Sequence, residues 1–290
     1  MPITLAHLGP AGTYAEMAAL AFGNTLSLKH PETFDLHPYP SIAQSLQALD
    51  RGEVNYAIVP VENSLEGSVN MTLDTLWQLK HIQITQALVL PISHAFVTQA
   101  SDLTKVQKVY SHPQALGQCQ PWLQEFLPQA SQIPTNSTSA ALAYPATDPT
   151  TAAITSMRAA QLHNLPILAH DIQAYPHTGD APINCTRFWV MKPRESDGWP
   201  QAGDSHTSLA FSLPKNRPGA LVQALLIFAE RNINLSRIES RPSKRSLGDY
   251  LFFLDLEVGE NVEIIHTALE ELQTRTEVLH VWGSYSLAMV

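Results

Sequence analysis

The feature that most constrains this chain is a repeated phrase: a short apolar β-type run, a turn of glycine or small hydroxyl residues, then a stretch with helical spacing. It appears as Ile3 to Leu8, Gly9-Pro10-Ala11-Gly12-Thr13 and the Ala-rich Tyr14 to Phe22. It returns as Tyr56 to Val61, the polar turn Glu62 to Ser68, and a helix from about Val69 to Lys80. Val106 to Tyr110 enters Ser111-His112-Pro113-Gln114 and a helix through Leu123; Ser137-Thr138-Ser139 precedes helical Ala140 to Tyr144; Ala152 to Ile154 passes Thr155-Ser156 into Met157 to His163. Strands alternating with helices imply an α/β fold, whose ligands collect at the carboxyl ends of the strands, where these turns lie. Each turn alone is ordinary helix capping, and Thr155 and Ser156 are read as caps only. Their repetition suggests a binding cleft. Thr13 and Glu16 have capping-box spacing, with backbone N–H groups that favour an anion.

A middle block, roughly 85–165, reads as an insertion between a first lobe and its returning segment. That places Asn184-Cys185-Thr186-Arg187-Phe188, followed by the apolar Trp189-Val190-Met191, between two lobes. A hydroxyl and a guanidinium at the mouth of a buried strand are costly to leave unpaired, so the motif is a candidate site. Among the Lys and Arg residues before about 205, only Arg187 is embedded in such a motif, which makes it the first suspect for holding an anion. The alternative is a salt bridge capping a strand end.

After a Gly/Pro-containing stretch the pattern resets to βαββαβ, with strands at Thr207 to Leu213, Asn234 to Ser240, Tyr250 to Val258 and Val278 to Tyr285, and helices at Pro218 to Arg231 and Val262 to Thr274. The expected organisation is a two-lobed α/β domain at 1–195 (lobe 1 about 1–80 plus 166–195, lobe 2 about 85–165), a linker at 196–205, and a ferredoxin-like α+β module at 206–290.

Composition narrows the functional classes. With 290 residues, 44% hydrophobic and 15% charged, the chain is globular in type and long enough for several cores. No apolar run reaches the length of a membrane helix, and Met1-Pro2-Ile3-Thr4-Leu5 lacks the marks of a signal peptide, which suggests the cytoplasm. Cys119 and Cys185 carry no metal spacing, and the twelve histidines form no ligand pattern, so no metal is expected. A net charge of −9 argues against nucleic acid and requires local donors for any anionic ligand.

Gly9 to Tyr14, Pro60-Val61-Glu62-Asn63-Ser64 with Gly67 and Thr72-Leu73-Asp74 to Leu76, Ser111 to Ala115 with Gln118-Cys119, and Asn184 to Phe188 resemble the successive signatures of prephenate dehydratases. Gly219-Ala220-Leu221-Val222 and Glu239-Ser240-Arg241-Pro242 resemble those of the ACT regulatory domain that follows in that family. The resemblance spans almost the whole chain and implies a catalytic region like the two-lobed periplasmic binding proteins. It implies conversion of prephenate to phenylpyruvate, water and carbon dioxide, without cofactor or metal. Thr186 is then the essential group and Arg187 a fork for a substrate carboxylate, with Glu62 a possible proton-donating partner. Thr13, Asn63, Ser64, Ser111, His112, Gln114, Ser137, Thr138 and Asn184 would bind substrate; Phe188 is either core or a wall against the ring. L-Phenylalanine would bind at an interface between two ACT domains through Asn216, Gly219 to Val222 and Glu239 to Pro242, in a homodimer or homotetramer. The chain begins at the catalytic domain, which implies a monofunctional enzyme. Arogenate dehydratase and a non-catalytic amino-acid sensor are the rival readings.

Overall fold

The computed structural model describes residues 2–29, 33–174, 184–195, 198–214 and 217–290. The first lobe begins with β1 (Ile3–Leu8), α1 (Tyr14–Lys29), β2 (Phe34–Tyr39), α2 (Ile42–Asp50), β3 (Tyr56–Asn63), the two-residue β4 (Gly67–Ser68), α3 (Asn70–Leu76) and β5 (Ile82–Pro91). The second lobe holds β6 (Ala95–Thr98), β7 (Lys108–Ser111), α4 (Pro113–Gln118), α5 (Gln120–Phe126), β8 (Ser131–Pro134), β9 (Thr151–Thr155), α6 (Met157–Leu162) and β10 (Ile167–Ala169). The chain returns as β11 (Cys185–Pro193) and closes with β12 (His206–Ser212), α7 (Ala220–Ala229), β13 (Leu235–Pro242), β14 (Tyr250–Glu257), α8 (Val262–Arg275) and β15 (Val278–Met289).

Two sheets result, one with strand order β10-β6-β9-β7-β8 and one running β13-β14-β12-β15-β5-β11-β3-β1-β2, with β4 on the edge of β3. The chain therefore crosses between lobes twice, after β5 and before β11, as in the periplasmic-binding-protein architecture. The crossings differ from the expected 80–85 and 165. β5 is a ten-residue strand of lobe 1 and β10 still belongs to lobe 2, because both complete their sheets' hydrogen-bond ladders. Ile92 N donates to Asn184 O at 2.7 Å and His94 N to Gln173 Oε1 at 2.7 Å, so the two crossings are laced together.

The last strand carries the second departure from expectation. β15 continues past Tyr285 and pairs in parallel with β5, Ser286 to Gln86 through Met289 to Val89, so the C-terminal module extends the sheet of lobe 1. Gly283 makes the passage possible: at φ 155° a Cβ there would lie 2.4 Å from Ile84 O. One core then spans both units, joining Leu46, Leu73, Trp189 and Met191 of the lobe to Ala210, Phe253, Trp282 and Tyr285 of the module. The module's other face packs Leu209, Phe211, Leu254 and Leu256 against Phe228 of α7 and Leu269 of α8.

Candidate active site

β3 and β11 are antiparallel neighbours, with Thr186 opposite Asn63 and Arg187 opposite Glu62. Side chains alternate along a strand, so these two dipeptides each send one group to either face of the sheet. Thr186 and Asn63 share the α1 face at the mouth of the cleft; Arg187 and Glu62 share the face turned to the C-terminal module.

On the cleft face the hydrogen bonds are directional. Asn63 Oδ1 accepts from Leu65 N and Glu66 N at 3.0 and 3.1 Å, an Asx turn that fixes the amide's orientation. Its Nδ2 must then donate outward, and it meets Asn184 Oδ1 at 2.8 Å, Cys185 O at 3.2 Å and Thr186 Oγ1 at 3.0 Å. Asn184 Nδ2 in turn donates to Gln118 Oε1 at 2.9 Å, and that oxygen also accepts from His94 Nε2 at 2.9 Å. The tautomer of His94 follows: Nε2 carries the proton, and Nδ1 faces the Tyr14 hydroxyl at 3.2 Å. Burial holds His94 below the ordinary histidine pKa, with the Gln118 bond opposing, and burial pushes the Tyr14 phenol up. The chain of bonds thus runs from Thr186 across both crossings, with every amide oriented by its neighbour. Because Thr186 Oγ1 already accepts a hydrogen bond, its own proton is available to a group in the cleft.

The lobes touch. Ser156 Oγ caps α6 through Ala159 N at 3.0 Å, as expected, but also donates to Gly12 O of lobe 1 at 2.7 Å. Glu16 Oε2 accepts from Gly12 N at 2.8 Å and from Arg158 Nε of lobe 2 at 3.0 Å. Gly12 has φ +82°, and a Cβ would come within 2.7 Å of Ala159 Cβ, so the turn needs glycine to let the lobes meet.

Several expected contacts are otherwise engaged. Arg187 is not a free carboxylate fork: it lies on the opposite face from Thr186, bonded to Glu62 at 2.8 Å and to Asp255 of β14 at 2.6 Å. Glu62 is accordingly no proton donor to Thr186, because strand alternation turns it away. Phe188 is core, 1% exposed beneath α1 with Leu5, Phe22 and Leu90. Ser111 spends its proton on Ile154 O at 2.6 Å, and Ser64 Oγ accepts from Cys185 N at 2.9 Å. Thr13 bonds within its own turn and accepts from Glu16 N, His112 caps α4 through Gln114 N, and Ser137 accepts from Ala140 N. Gln114 and Thr138 are half-buried.

The expected effector residues divide in the same way. Gly219, Ala220, Leu221 and Val222 line a cavity of about 250 Å³ with Leu213, Arg217, Tyr250 and Phe252. Glu239 and Arg241 instead reach lobe 1, Glu239 accepting from Ser68 Oγ at 3.0 Å and Arg241 forking onto Asp74 at 3.0 and 3.1 Å. Ser240 and Pro242, the alternate residues of β13, are exposed. Asn216 lies outside the described residues. Tyr14, His94, Gln118, Ser156 and Asp255 carry contacts that the sequence does not announce; two of them, Tyr14 at the end of the Gly9 to Tyr14 motif and Gln118 beside Cys119, lie within recognised motifs. Among the described residues no three His, Cys, Asp or Glu gather to hold a metal, and no helix is long and apolar enough to cross a membrane.

A two-lobed α/β region with an oriented hydroxyl, continued into a C-terminal βαββαβ module, is a framework for binding small molecules. Residues 5–196 match the family model of prephenate dehydratase and residues 207–273 that of the ACT domain. The chain is 37% identical over 287 residues to the prephenate dehydratase of Lactococcus lactis subsp. cremoris, covering 98% of this chain and 97% of that one. It is 37% identical over 290 residues to the bifunctional chorismate mutase/prephenate dehydratase of Aquifex aeolicus, covering 99% and 75%. The crystal structure of prephenate dehydratase from Arthrobacter aurescens in complex with L-Phe is similar with TM-score 0.83 at 31% identity, covering 98% of this chain and 90% of that one. The chain belongs to the prephenate dehydratase family.

Proposed function

We propose that the protein converts prephenate to phenylpyruvate, and that L-phenylalanine inhibits it through the C-terminal module. The observation that supports the first part is the Asn63 Nδ2 bond to Thr186 Oγ1 at 3.0 Å: it anchors the oxygen as an acceptor and leaves the hydroxyl proton free to donate to a substrate. In the reaction the bond from the ring to its carboxylate breaks, releasing carbon dioxide. The electron pair enters the ring, and the 4-hydroxyl departs from the opposite carbon. Thr186 donates to that departing oxygen, which leaves as water once protonated; the Asn63 amide stabilises charge on the threonine oxygen, which regains its proton from solvent when the cleft opens to release product, so that the one proton the reaction consumes comes from the medium. Closure of the lobes at Gly12, Ser156 and Arg158 excludes water and fixes the ring against the threonine.

The cavity beside Gly219 supports the second part. The N–H groups at the start of α7 suit a carboxylate, and Leu213, Leu221, Tyr250 and Phe252 suit an aromatic side chain. The Arthrobacter relative was solved with L-Phe. The exposed Val222, Leu226 and Ile238 give the module an apolar face for pairing with a second copy in a homodimer or homotetramer.

The test is turnover of prephenate by purified protein, with phenylpyruvate measured and phenylalanine titrated. Product formation suppressed by phenylalanine is expected. Turnover of arogenate in preference to prephenate would overturn the substrate assignment, and inactivity on both would leave a binding protein.

A further inference from the structure

Asp255 stands on β14 of the C-terminal module, 0% exposed, and binds groups from three other strands. Its Oδ2 accepts from Arg187 of the catalytic strand at 2.6 Å and from Arg237 at 2.9 Å; its Oδ1 accepts from Ser208 Oγ at 2.7 Å. Ser208 meets the Tyr285 hydroxyl at 2.7 Å, which takes the Trp189 Nε1 proton at 3.2 Å, and Arg237 lies over the Trp189 ring at 5.5 Å. Two guanidiniums, Arg187 and Arg237, are thus matched by two carboxylates, Asp255 and Glu62, where unmatched charge would be costly.

We propose that Asp255 is a positioning residue for Thr186. The inference rests on the functional reading above. Arg187 is the neighbour of Thr186 in the chain, and Glu62 is the neighbour of Asn63. The dipeptides that place hydroxyl and amide on the cleft face are therefore the same two that the charge cluster holds on the other face. A strand transmits displacement between adjacent residues because a rigid planar peptide joins their Cα atoms and the extended ladder restrains the two dihedrals beside it. Asp255, by holding Arg187, fixes the height of Thr186 against Asn63. The β-bulge between Arg187 and Phe188 lies one residue on in the ladder with β3, so β5, which pairs with Thr186 to Phe188 in unbroken register, holds the other edge of β11 while the edge that sets Thr186 against Asn63 is interrupted. β14 also begins at Tyr250 and Phe252 in the wall of the cavity beside Gly219, so the C-terminal module holds the catalytic strand through an element that lines its own cavity.

The experiment compares Asp255→Asn with the double variant Asp255→Asn, Arg237→Met. The first keeps the side chain's shape and removes its charge. The second also removes a guanidinium, so that Arg187 and Glu62 remain as a balanced pair while the Asp255 anchor stays absent. Steady-state kinetics on prephenate are read together with hydrogen exchange of the segments 62–66 and 184–190. Positioning predicts a kcat at least tenfold below wild type in both variants, a KM within about threefold, and faster exchange in both segments. Wild-type kcat in Asp255→Asn overturns the inference, and so does recovery of kcat in the double variant, which would reduce Asp255 to charge balance. A wild type that leaves prephenate untouched overturns the functional reading and this inference with it; an active wild type whose kcat Asp255→Asn matches overturns this inference alone.

Discussion

Replacing Asn63 by aspartate alters one group and no shape. Oδ1 goes on accepting from Leu65 N and Glu66 N, so the turn after β3 survives. The other arm, which donates to Asn184 Oδ1, Cys185 O and Thr186 Oγ1 at 2.8, 3.2 and 3.0 Å, becomes an acceptor facing three acceptors. Thr186 then turns its proton onto the new carboxylate and away from the cleft. Loss of one preorganised donor where charge develops costs about 10²–10³ in kcat. The forfeited bonds and the newly buried charge cost about 2–4 kcal/mol of stability. Steady-state kinetics on prephenate and thermal unfolding of the same preparation measure both. A variant that folds and keeps a kcat within threefold of wild type would refute the argued direction of the Asn63 to Thr186 bond.

Three further perturbations follow from the geometry. In Gly12→Ala the new methyl meets Ala159 Cβ at 2.7 Å at a φ of +82°, so closure is blocked; kcat/KM on prephenate is expected to fall at least tenfold. Gly283→Ala places a methyl 2.4 Å from Ile84 O and parts β15 from β5, and calorimetry should show a loss of about 2–4 kcal/mol. Burial holds His7, His94, His206 and His280 below the ordinary value of 6.5, so the folded state binds fewer protons than the unfolded one as the medium becomes acid. Their contribution is complete above pH 6.5 and is lost as the pH falls through and below it; thermal unfolding from pH 8 to 5 should show the decline, less steep in His94→Gln. A flat wild-type profile would contradict the burial argument.

The strand, polar turn and helix phrase made both lobes and the C-terminal module legible, since each unit obeys a local periodicity. Thr186, Asn63 and Asn184, which hydrogen bonds bring together, were legible as candidates because each belongs to a compact motif. The face a side chain takes was not. Glu62 next to Asn63, and Arg187 next to Thr186, read as members of one cleft until strand alternation divided them. Arg187 has its partner, Asp255, 68 residues away in another unit, and no short-range pattern announces that pair. Tyr14, His94 and Gln118 escaped for the same reason, as their bonds close only when both crossings lie side by side. Ser156 was a helix cap in both readings, and only the tertiary contact with Gly12 adds its second role. The continuation of β15 onto β5 was hidden because Ser286 to Met289 carry no turn signal and no partner within reach in the chain.

The central claim is that the Thr186 hydroxyl delivers its proton to the departing oxygen. Thr186→Val keeps the β-branched shape and removes only that hydroxyl. The account predicts prephenate turnover at least about 10³-fold below wild type, in a protein that melts within a few degrees of it. A valine variant that is folded and turns over prephenate within tenfold of wild type would contradict it.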